Sequence, residues 1–123
     1  MAEKIVSKVG GSSQNSNSAT LLGYFAGEGV VSLSNNLNNY KEIVIQCDFI
    51  MSAPINIKVW KQMPPNLSVQ NYLQIYGGGY ILGNINQWYT FEIDASIEND
   101  SQIRIHYIRA SNVSGTYNIY GIK

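Results

Sequence analysis

Apolar residues recur at every second position along most of this chain, in short runs broken by glycine, asparagine and serine. Period two is the mark of a strand with one buried and one wet face. Thr20 to Phe25 and Val30 to Leu33 are two such runs, and Ala26-Gly27-Glu28-Gly29 between them reads as a turn. Lys41 to Ile50 points Ile43, Ile45, Cys47 and Phe49 one way. Ile55 to Trp60 predicts a strand with Ile55, Ile57 and Val59 inward and Asn56, Lys58 and Trp60 outward. Asn71 to Tyr76 buries Leu73 and Ile75 and turns out Tyr72, Gln74 and Tyr76. Gly77-Gly78-Gly79 then predicts a hairpin turn into Tyr80-Ile81-Leu82. Trp88 to Asp94 buries Tyr89, Phe91 and Ile93 and leaves Trp88, Thr90, Glu92 and Asp94 outside. Ile103, Ile105 and Tyr107 alternate with Arg104, His106 and Ile108, which places Arg104 and His106 on the outer side. Thr116 to Lys123 sets Tyr117 and Ile119 against Asn118 and Tyr120.

No window of about 11 residues keeps the spacing of an amphipathic helix. Sixteen Ile against seven Leu fits pleated, half-buried surfaces instead. Eight or nine short strands with turns between them predict an all-β fold, an antiparallel jelly-roll-like β-sandwich. Met63-Pro64-Pro65-Asn66 belongs to a loop or a strand edge. Residues 1–19 read as an amino-terminal arm whose tract Gly10-Gly11-Ser12-Ser13-Gln14-Asn15-Ser16-Asn17-Ser18 has flexible linker composition, and residues 20–123 as the sandwich domain.

Composition narrows the partners. The chain of 123 residues is one domain's worth. Only 13% of it is charged, and eight Lys and Arg balance eight Asp and Glu. Nucleic acid and anionic membranes demand a basic surface, so neither is expected as a partner. Nine Tyr, two Trp and three Phe argue against disorder. The amino terminus has no secretory apolar core and no run long enough to span a bilayer, so synthesis in a cytoplasm without export is expected. Cys47 is the one cysteine, in phase with Ile43 and Ile45, and reads as a buried small hydrophobe.

Catalytic readings find little material. One histidine, His106, gives no metal-binding cluster, and no Gly-x-Ser-x-Gly elbow nominates a serine nucleophile. Glu92 and Asp94 share a face with Cα atoms about 6.5–7 Å apart, a spacing compatible with a glycosidase pair, but acids near a turn are common as turn formers. Gly77-Gly78-Gly79 lacks the Lys-Ser/Thr and helix of a phosphate loop. No enzyme activity and no cofactor are expected. The outward aromatic set, Trp60, Tyr72, Tyr76 and Trp88 with Tyr80 at the turn, is the strongest candidate surface, with Arg104 and His106 as polar recognition residues. Aromatic rings with amide and charged hydrogen-bonders suit a sugar, a neighbouring subunit, or a second core layer.

Two stretches carry a resemblance. Val31 to Ile45, a β-run followed by a polar turn, Tyr40-Lys41 and an apolar strand, is one; Tyr117-Asn118-Ile119-Tyr120-Gly121-Ile122-Lys123 is the other. With Leu21-Leu22-Gly23-Tyr24-Phe25 opening the fold, they resemble the carboxyl-terminal domains of bacteriophage appendage proteins: tail fibres, baseplate receptor-binding proteins and head fibres. The resemblance implies a β-sandwich, a homotrimer, location on a virion among other virion proteins, and adhesion to the host surface; the aromatic set adds a host cell-surface glycan as a candidate partner. A decoration or assembly protein without a receptor, or a free-standing lectin-like module, are the alternatives. Exposed apolar surface on a weakly charged chain also argues for a homo-oligomer.

Overall fold

Isoleucine lines both sides of the interior: Ile43, Ile45 and Ile119 on one side, and Ile75, Ile93, Ile97, Ile103 and Ile105 on the other, none more than 6% exposed. The computed structural model describes residues 19–48, 50–61, 72–81, 84–111 and 115–123, with backbone alone at 79–81 and 84–87. Nine strands occur among the described residues: β1 (Ala19–Phe25), β2 (Gly29–Ser32), β3 (Glu42–Cys47), β4 (Ile50–Met51), β5 (Ile55–Asn56), β6 (Tyr72–Ile81), β7 (Asn84–Asn99), β8 (Gln102–Ser111) and β9 (Tyr117–Ile122). The first sheet runs β1-β9-β3-β4, with β5 also paired to β3, and the second runs β2-β8-β7-β6. Every one of these pairings is antiparallel.

The all-β sandwich expected from the alternation is what forms. It is roll-like because β1 and β2 lie in opposite sheets and meet β9 and β8, which also lie in opposite sheets. Strands β6, β7 and β8 form a plain meander. The sheets meet on one side through a bridge between Ser52 and Gly77. Inside, Phe25 stacks on Tyr117 with centroids 5.2 Å apart, and Phe91 meets Tyr117 edge-on at 5.3 Å. Strand β9 is central in the first sheet, between β1 and β3, and Gly121 gives room to Tyr40: a Cβ there would stand 2.7 Å from two atoms of that ring.

Four local readings change. The run from Lys41 to Ile50 is two strands, because the backbone turns at Asp48, whose φ of 55° is left-handed. The run from Ile55 to Trp60 is a strand only as far as Asn56, and Ile57–Lys61 is a helix, α1. The Asn56 side chain accepts from the backbone N–H groups of Lys58 (3.0 Å) and Val59 (3.2 Å), a cap that starts a helix. Gly77-Gly78-Gly79 is the interior of β6, and the chain reverses only after Ile81, which pairs with Asn84. Finally, the register of β7 against β8 slips at Asp94/Ala95: Asp94 pairs with Tyr107 and Ala95 with Ile105, so His106 is the extra residue of a β-bulge. Beyond the bulge the parity inverts. Tyr107 is 43% exposed, and Ile108 packs against the core.

Leu37–Asn39 forms a 3-10 turn that with Tyr40 plugs one end of the sandwich. Lys61 fastens α1 there through Asp100 and through Asn38 Oδ1 at 2.6 Å. Cys47 is wholly buried, as expected. Residues 1–18, Phe49, Asn71, Leu82 and Met63-Pro64-Pro65-Asn66 lie outside the described residues.

Candidate binding face on the second sheet

Cross-strand register builds this face row by row. Val30, Arg104, Ser96 and Tyr72 form one row across β2, β8, β7 and β6. Tyr107, Asp94 and Gln74 form the next, and Arg109, Glu92 and Tyr76 the one after. All point away from the core, because their neighbours Ile75, Phe91, Ile93, Ile103 and Ile105 point into it. Past Thr90, which pairs with Ser111, strands β6 and β7 continue as a two-stranded ribbon in which Trp88 pairs with Tyr80.

Four of the seven large hydrophobic residues exposed among the described ones belong to this surface: Val30 (44%), Tyr76 (55%), Trp88 (53%) and Tyr107 (43%). Charges between them are paired. Arg104 Nε donates to Glu98 Oε2 at 2.9 Å, and Arg109 stands 3.8 Å from Glu92 Oε1 with its guanidinium 5.6 Å from the Tyr107 ring centroid. The Tyr107 phenol, then Glu92 and Asp94, hold Arg109 more firmly protonated than usual. Exposed pairs of this kind fix side-chain positions and contribute little to stability. Ser96 Oγ and His106 Nε2 share a hydrogen bond of 2.8 Å.

Asp94 differs from the other acids. Its Oδ1 is buried and accepts no hydrogen bond from the described residues. Burial first, and contact with the Asp94 carboxylate second, push the Tyr72 phenol above its ordinary pKa, so Tyr72 keeps its proton.

Tyr72, Tyr76, Trp88, Arg104 and His106 are thus brought to one face. Tyr80 joins it through its backbone pairing with Trp88, and its side chain lies outside the description. Trp60 does not join: on α1 it packs against the core cluster at the end of the sandwich. Tyr107 and Arg109 are the members the alternation missed. The signal lay in the spacing Ile103, Ile105, Ile108, which changes parity after Ile105.

The outer face of the first sheet is different. Tyr120 and Val44 pair with each other and point away from the inter-sheet core, yet are 1% and 0% exposed. That part of the surface is already covered.

Compared with family models, curated proteins and solved structures, the chain finds no match in any of the three. The face therefore has to be read from its own chemistry. Among the described residues no three His, Cys, Asp or Glu side chains gather as metal ligands would, and no helix is long and apolar enough to cross a membrane.

Proposed function

We propose that this chain is a non-catalytic binding domain of a bacteriophage virion appendage, adhering to glycan on the host surface through the outer face of the second sheet. One observation carries the reading: Tyr76, Tyr107 and Trp88 are exposed on a single face with Gln74, Asp94 and Arg109 between the rings. Sugars present flat C–H faces and hydroxyl edges, and an aromatic platform with polar groups set into it matches both. The virion setting rests on the likeness of the Val31 to Ile45 and Tyr117 to Lys123 stretches to appendage domains.

Two features favour binding over hydrolysis. Glu92 faces Arg109 at 3.8 Å, so this member of the carboxylate pair is already committed to an ion pair. Ser96 and His106 form a hydrogen-bonded pair, but Ser96 lies mid-strand, opposite Arg104 on β8 and Tyr72 on β6, not at a loop or helix end where the N–H donors of an oxyanion hole gather.

The homotrimer belongs to the same proposal. Leu21 (45% exposed) and Tyr24 (68%) lie on the edge strand β1 and supply apolar surface for a subunit contact away from the aromatic face. Light scattering reads this directly, and a stable monomer removes the trimer.

The adhesion reading is tested on an array of bacterial surface glycans. Binding by the wild-type chain, lost in Tyr76→Ala and Trp88→Ala, is the expected result. No array signal, beside tight binding to purified capsid or baseplate, overturns it in favour of a decoration or assembly protein.

A further inference from the structure

Carboxylate oxygens taken out of water are normally met by at least one donor, and one left without any costs stability. Asp94 Oδ1 is such an oxygen. Its surroundings could have satisfied it: Gln74 is its cross-strand partner on β6 and Tyr107 on β8, yet neither reaches it. The two arginines of the face pair with other acids, Arg109 with Glu92 and Arg104 with Glu98, and Asp94 acts on Arg109 through its charge alone. An unmet acceptor at the centre of an exposed aromatic face, on the middle strands of a rigid sheet, is placed for a donor from outside.

We infer that Asp94 is the polar centre of a sugar site, where its unpaired oxygen accepts a hydroxyl of a neutral glycan whose ring lies against Tyr107 and Tyr76. This deepens the adhesion reading and rests on it. The hydroxyl is the fitting donor because the face is otherwise charge-balanced: a neutral ligand leaves both ion pairs in place, and its apolar side covers the exposed rings. Side chains now shield Oδ1 from water, so the sugar has to displace one of them. Tyr72 is the one in contact with the carboxylate, and it sits on β6, the last strand in the order β2-β8-β7-β6, so its ring is the one the sugar displaces. The unliganded protein therefore carries a destabilising group that the ligand relieves, as residues kept for function often do.

Asp94→Leu, nearly the same shape without acceptors, separates this role from a structural one. The expected result is a melting temperature a few degrees above wild type together with at least a tenfold loss of affinity for the bacterial glycans that the wild-type chain binds. Permethylated forms of those glycans, which keep the apolar ring faces and lose the hydroxyl donors, should bind wild type at least tenfold more weakly and bind Asp94→Leu no differently from the native forms. A lower melting temperature makes Asp94 a structural residue and overturns the inference. So does unchanged glycan affinity in Asp94→Leu; if Tyr76→Ala and Trp88→Ala still abolish binding, the adhesive face stands without it. Absence of wild-type binding to any array glycan removes the face and the inference together.

Discussion

Gly77 lies beneath the Phe91 ring: a Cβ on Gly77 would stand 2.5 Å from Phe91 Cε2 and Cζ and 3.0 Å from Ile50 Cγ2. The glycine is a packing residue of a strand interior, at the point where Ser52 bridges the sheets. Gly77→Ala should therefore destabilise the fold by about 1–3 kcal/mol, the ordinary cost of overpacking. Adding Phe91→Leu should recover part of that loss, giving a non-additive cycle in urea unfolding. Additive effects would mean that the ring does not oppose the new methyl group.

The short helix α1 depends on its cap. Asn56→Ala removes the acceptor of two backbone N–H groups and should cost about 0.5–2 kcal/mol. Because Trp60 packs against the core from this helix, its fluorescence should shift to the red in the variant before global unfolding. Unchanged emission and stability would show that the helix stands without its cap, on the packing of Ile57 and Trp60 and the contacts of Lys61.

Burial, then the neighbouring Asp48 charge, push the Cys47 thiol up to about 11. The native thiol should resist a disulfide reagent at pH 8 and react only on unfolding, since the thiolate is the nucleophile. Folding raises this pKa, so the associated stability is whole below the unfolded thiol's value of about 8.5 and is lost as pH climbs. A Cys47→Ala variant should lose less stability than wild type across the alkaline range.

Hydrogen bonding by Lys61, ahead of Asn38, lowers the pKa of Asp100. A lowered carboxyl pKa adds stability above the unfolded value of about 3.9, and that contribution disappears as pH falls through the folded value. Wild type should thus exceed Asp100→Asn at neutral pH and converge with it in acid. A difference that persists below the carboxylate range would locate the effect in packing.

How much of this was legible beforehand depends on where the period held. Tyr72, Tyr76, Trp88, Arg104 and His106 share a face because Leu73, Ile75, Phe91, Ile93, Ile103 and Ile105 fill the opposite one, and strict alternation announces that arrangement. Tyr107 escaped it because a bulge adds one residue to β8, and one residue inverts every later side chain. Trp60 was lost where the period changed from two to that of a helix, within five residues too short to show a helical stripe. Asn56, as a cap, was the readable signal. The triple glycine looked like a turn because local propensity suggests one, and the Phe91 ring, an inter-strand neighbour, overrides it.

The register of β1 against β9 sets Ala19 opposite Ile122, so the chain enters and leaves the sandwich at the same pole, beside the Leu37–Asn39 turn and α1. The ribbon of β6 and β7 reaches out at the other pole and carries Trp88 there. Anything gripping the molecule beside Ala19 or Ile122 would hold it like a torch by its handle, with the indole at the leading end and the tyrosine face along the shaft.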